Sequence, residues 1–112
     1  MISDEEIVAA ILLKLYKRGN WGGSHTAFDN LKKWFKQQEL GKEGFKRIDK
    51  IGKDLIKGGL MVAKPTHYGL QVSLNPREHQ RIIPLIRKIF PEVWKGFEEV
   101  EEILLFLGPK VF

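Results

Sequence analysis

Apolar residues recur along this chain with two different periods, and the switches between them outline its elements. Ile7, Val8, Ile11, Leu12 and Leu15 form a stripe at helical spacing, so residues 3–19 predict a first helix. Ser3 with Glu6 three residues on reads as a capping box, and Gly19 ends the pattern. Asn20-Trp21-Gly22-Gly23 cannot be helical and can supply a short strand around Trp21. A second helix is expected from Ser24 or Thr26 as N-cap, with Asp29 in its first turn. Its inward set is Phe28, Leu31 and Phe35, with Trp34 beside it and Lys32, Lys33 and Lys36 on or near the outer side. Gly41 marks a turn within the link at 37–43.

A third helix is expected over 44–58. At about 100° per residue, Phe45, Ile48, Gly52, Leu55 and Ile56 gather on one face. The opposite face carries Glu43, Arg47, Lys50, Asp54 and Lys57, flanked by Lys46 and Lys53. Gly58-Gly59 ends this helix and the period drops to two. Leu60 and Val62, then Leu70, Val72 and Leu74, alternate with Met61, Ala63, Gln71 and Ser73, the mark of a half-buried strand pair. Pro65 and Gly69 bracket a tight tip of Thr66-His67-Tyr68. Asn75 as N-cap and Pro76 at the first helical position open a further helix with Ile82, Ile83, Ile86, Ile89 and Phe90 inward, which Pro84 should kink. A last helix is expected near 91–107. Its seam of Val93, Phe97, Val100, Leu104 and Leu107 is suited to packing on another helix.

The expected fold is therefore α+β and mostly α: three helices and a β-hairpin wing, the winged helix-turn-helix, with additional C-terminal helices. Residues 1–76 form the core of that reading and 77–112 the added helices, within one domain, as suits a chain of 112 residues.

Charge sharpens the picture. Residues 32–64 carry a net +6, whereas 92–112 carry five Glu against two Lys. A basic middle beside an acidic end suggests one face for a polyanion and another for something else, although lysine-rich faces are often simply solvated. Without Cys there are no disulfides, thiolate metal sites or Cys nucleophile. The first apolar run follows Asp4-Glu5-Glu6 rather than a basic stretch, and no window approaches a membrane span. A soluble, cytoplasmic protein is expected.

In a helix-turn-helix the second helix of the pair enters the major groove. Arg47 and Lys50, supported by Lys46, Lys53 and Lys57, are then the residues to reach phosphates and base edges. Arg47 has the fork to take guanine O6 and N7 together. Asp54 and Glu43 either accept from cytosine N4 or pair with Lys50 and Lys57 one turn away. Ser24, His25 and Thr26, at the expected start of the second helix, can hold a phosphate or serve as an ordinary cap. Lys64, His67 and Tyr68 at the wing tip can meet the adjacent backbone or form a plain turn.

Enzyme chemistry finds no candidate. His25, His67 and His79 are scattered without metal-ligand spacing, and Glu98-Glu99 and Glu101-Glu102 read as a solvated helix face. Neither a metal nor a cofactor is expected.

The strings GNWGGSHTAFDNLKKWF and GGLMVAKPTHYGLQVSLNP, with a basic helix between them, resemble a group of small archaeal winged-helix proteins, mostly of unassigned function. The resemblance covers roughly residues 3–90. It implies the winged-helix fold and double-stranded DNA binding, with Arg47 and Lys50 on the recognition helix. The leading expectation is a transcriptional regulator acting as a homodimer through Val93, Phe97, Val100, Leu104 and Leu107, unless that seam folds back on the first helix. The alternative is a protein-interaction winged-helix subunit of a larger complex, with RNA binding a lesser variant.

Overall fold

A computed structural model describes residues 1–92 of the chain; the seam at Val93, Phe97, Val100, Leu104 and Leu107 lies outside the described residues. The first helix, α1 (Asp4–Lys17), begins as its sequence requires. Glu6 donates its backbone N–H to Ser3 Oγ at 3.1 Å, and Ser3 N–H reaches back to Glu6 Oε1 at 3.2 Å. Ile7, Ile11, Leu12 and Leu15 are fully buried, and Gly19 at φ +69° turns the chain away from the helix end.

The next segment departs from its expected helix. Thr26–Ala27 forms a short strand, β1, and only one turn each of α2 (Asn30–Lys33) and α3 (Gln37–Leu40) follows. Thr26 pairs with Val72, Ala27 with Gln71, and Phe28 donates its N–H to the Leu70 carbonyl at 2.8 Å. The sheet satisfies these backbone groups instead of a helical ladder and covers what would otherwise be a bare strand edge. Phe28, Leu31 and Phe35 are nonetheless buried, as their spacing predicts. Burial followed the apolar pattern although the secondary structure did not. Trp21 makes an isolated parallel bridge to Leu74, so the regular strand lies downstream of the tryptophan.

Helix α4 (Phe45–Lys57) and strands β2 (Met61–Thr66) and β3 (Gly69–Leu74) follow. The sheet is antiparallel, in the order β1-β3-β2. Its register places Met61 opposite Leu74, so Met61 is buried and Val62 is exposed, the reverse of the expected alternation in β2. Paired residues share a face, so one fixed pair sets the whole strand. Leu60, just before the strand, is also buried.

Asn75 accepts the Arg77 N–H at its side chain and caps a 3-10 turn (Pro76–Glu78), which leads into α5 (His79–Ile89). That helix continues through exposed Pro84. Ile82, Ile83 and Ile86 enter the same core as α1, α4 and the sheet, so α5 is joined to residues 1–76 by shared burial. Lys88 reaches back to Glu5 at 2.9 Å. The architecture is α+β, with helices packed on one small antiparallel sheet. Among the described residues no helix is long and apolar enough to cross a membrane.

Candidate nucleic-acid interface

The orientation of α4 decides which of its cations face outward. Ile48, Ile51, Gly52 and Leu55 are its buried residues, while Phe45 is 37% exposed. Relative to the expected face, the inward direction has turned by about 40° at 100° per residue, away from Phe45 and toward Ile51. Gly52 lies close against the Phe28 ring, and a Cβ there would meet it at 2.6 Å.

The rotation carries Arg47 from the outer face to a flank beside the chain's N-terminal segment. Its side chain is only 12% exposed. Nη2 donates to Asp4 Oδ1 at 2.6 Å and to the Ile2 carbonyl at 2.8 Å, Nη1 donates to the Leu40 carbonyl at 2.8 Å, and Nε donates to Asp4 Oδ1 at 3.2 Å. A guanidinium has five N–H groups, and these contacts leave only one, on Nη1. A fork onto guanine O6 and N7 needs two parallel donors, which Arg47 no longer has. It is a clamp joining Ile2, Asp4, α3 and α4.

Lys46, Lys50, Lys53 and Lys57 remain on the outward face, all exposed and without a carboxylate partner among the described residues. With Asp49 and Asp54, the first three line a shallow open depression. Asp49 is turned aside by Lys32 of α2 at 3.1 Å. Asp54 and Glu43 make no ion pair among the described residues, so the expected pairing with Lys50 and Lys57 is not formed.

The expected phosphate site at the start of the second helix does not exist as drawn. Thr26 lies in β1 and is 5% exposed, with Oγ1 accepting from Asn30 Nδ2 at 3.0 Å. Ser24 and His25 sit exposed in the loop before it, and the next helix starts only at Asn30. That loop is held from beneath. Asn20 donates to the Ser24 carbonyl at 3.3 Å and accepts from Arg18 Nε at 3.2 Å, while the Arg18 guanidinium lies 5.8 Å from the Trp34 ring centroid.

At the tip of the β2–β3 hairpin His67 and Tyr68 form a two-residue turn closed by the Thr66–Gly69 pair. Thr66 Oγ1 donates to the Gly69 carbonyl at 2.7 Å and accepts the Tyr68 N–H at 3.2 Å, which occupies that hydroxyl. Tyr68 is 93% exposed, and Lys64 and His67 are also exposed. The structure thus presents the α4 lysines and the β2–β3 hairpin tip to solvent, and withdraws Arg47 and Thr26 from it. Among the described residues no cluster of three or more His, Asp or Glu is placed to hold a metal ion.

The chain matches no protein-family model, no curated protein and no solved structure.

Proposed function

We propose that this protein binds duplex DNA as a winged helix-turn-helix, with α4 in the major groove and the β2–β3 tip on an adjacent stretch of backbone. The observation that carries the reading is the row Lys46, Lys50, Lys53 and Lys57. These cations are outward, exposed and unpaired among the described residues, on a helix whose other side is buried. The order α1–β1–α2–α3–α4–β2–β3 supports it, because it delivers one basic helix directly into a hairpin whose tip carries Lys64, His67 and Tyr68. Neutralising phosphates with these lysines releases counterions from the duplex. With about five contacts, log K should fall against log salt with a slope of about −4.5. A salt titration of duplex affinity tests this, and a slope near zero refutes it.

Pairing of two copies through Val93, Phe97, Val100, Leu104 and Leu107 belongs to the same proposal, since it doubles the lysines offered to one duplex. Sedimentation tests it: the full chain should run as a dimer and a chain ending at Phe90 as a monomer.

A further inference from the structure

We infer that the α4 face holds duplex DNA through its phosphates, without regard to base sequence. This rests on the DNA-binding reading above and specifies what that site recognises. The exposed residues of α4 are Phe45, Lys46, Lys50, Lys53, Asp54 and Lys57. None is Arg, Asn or Gln, the planar side chains that grip a base edge with two fixed hydrogen bonds. The helix's single arginine spends four of its five N–H groups on Asp4, Ile2 and Leu40. A lysine ammonium can touch guanine O6 and N7, but its donors rotate on a flexible stem and are equally satisfied by phosphate oxygens. Lysines alone therefore give affinity with little discrimination.

The remaining candidates add little sequence information. Asp49 is tied to Lys32, and the Thr66 hydroxyl is closed into the turn. His67 and Tyr68 at the tip would meet backbone or the minor groove, where the donor–acceptor code is degenerate. Asp54 is the one exposed acceptor on α4. It stands one turn from both Lys50 and Lys57 and next to Lys53, so on a phosphate-lined surface it opposes binding to every duplex alike. A regulator of chosen genes needs base readers that this face lacks; a protein that coats or packages duplex DNA does not.

The test uses the full 112-residue chain with short duplexes of A·T-rich, G·C-rich and mixed sequence, followed by selection from a random duplex pool. Dissociation constants should agree within about tenfold across the set and the selected pool should stay unenriched, whereas sequence-specific proteins prefer their sites by about 10³-fold or more. Lys50→Ala should weaken every duplex by one common factor and reduce the salt slope by about 1. Asp54→Ala, which removes the charge without adding a base-reading amide, should tighten every duplex by one common factor. An enriched motif bound about 10³-fold more tightly than random duplex overturns the inference and leaves DNA binding standing. A base-pair preference that differs between the parent and Asp54→Ala does the same. Absence of binding to any duplex at low salt overturns the DNA-binding reading, and this inference with it.

Discussion

Arg47 Nη2 stands 2.6 Å from Asp4 Oδ1, joining residues 43 positions apart in the chain. The same guanidinium also takes the main-chain carbonyls of Ile2 and Leu40, so one side chain ties the N-terminal segment and α3 to α4. This contact removes the best base-reading candidate from the outer surface and turns it into a structural element.

Arg47→Ala should destabilise the fold by roughly 2–4 kcal/mol, because two carbonyl oxygens and a carboxylate lose charge-assisted donors at a site closed to most solvent. Asp4→Asn should cost under about 1 kcal/mol, since that carboxylate is largely exposed. Urea denaturation at neutral pH checks both. An Arg47→Ala midpoint equal to the parent's would contradict the clamp.

Gly52→Ala should destabilise the protein even though alanine is the better helix former. A Cβ at this position meets Phe28 Cε2 and Cζ at 2.6 Å, and the ring is itself buried. Overpacking of this kind costs about 1–3 kcal/mol, against a propensity gain of at most about 1. The two effects oppose each other, so a denaturation curve shifted toward greater stability would show that the ring has room to move.

Lys50→Glu combined with Lys53→Glu should abolish duplex binding at moderate salt and leave the unfolding midpoint nearly unchanged. Both side chains are exposed and make no ion pair among the described residues. Fluorescence anisotropy with a labelled duplex, read beside thermal unfolding, separates the two effects. Unimpaired binding would remove α4 from the interface.

Lys88 and Glu5 provide a pH dependence with a definite sign. The hydrogen bond that Lys88 donates to Glu5, reinforced by the carboxylate's charge, raises the Lys88 ammonium above its ordinary value of 10.5. The pair's contribution is therefore fully present below 10.5 and is lost as pH rises through the higher folded-state value. A double-mutant cycle with Lys88→Met and Glu5→Gln should show coupling that is constant from about pH 7 to 9, shrinks in strong salt and fades in alkaline solution. Coupling that instead fell between pH 7 and 9 would point to a different partner for Lys88.

How far the chain could be read in advance depended on the range of the interactions involved. The capping box of α1 and its buried stripe were readable because both lie within one helix, as were the ends of α4 at Gly44 and Gly58. The Asn75 cap was readable for the same reason, although it opens a 3-10 turn before α5. The second helix was not. Phe28, Leu31 and Phe35 carry the apolar spacing of a helix, but β3 offered the backbone groups of Thr26, Ala27 and Phe28 better partners, and nothing local records that offer. The phase of β2 was likewise set by Met61 opposite Leu74, a pairing between strands.

The candidate interface divides in the same way. That α4 would be amphipathic, basic on one side and followed by a hairpin is written in residues 44–74, because periodicity and charge are properties of neighbours in the chain. Which cations that helix would present was decided only by packing. Packing turned the buried face of α4 toward Ile51, and Arg47 came within reach of Asp4 and of two carbonyls supplied by other segments. Sequence alone determined that this protein would carry a lysine-rich helix face. The tertiary structure decided that the one arginine of that helix would serve the fold, because it brought a carboxylate and two main-chain carbonyls together around a guanidinium that is itself only 12% exposed.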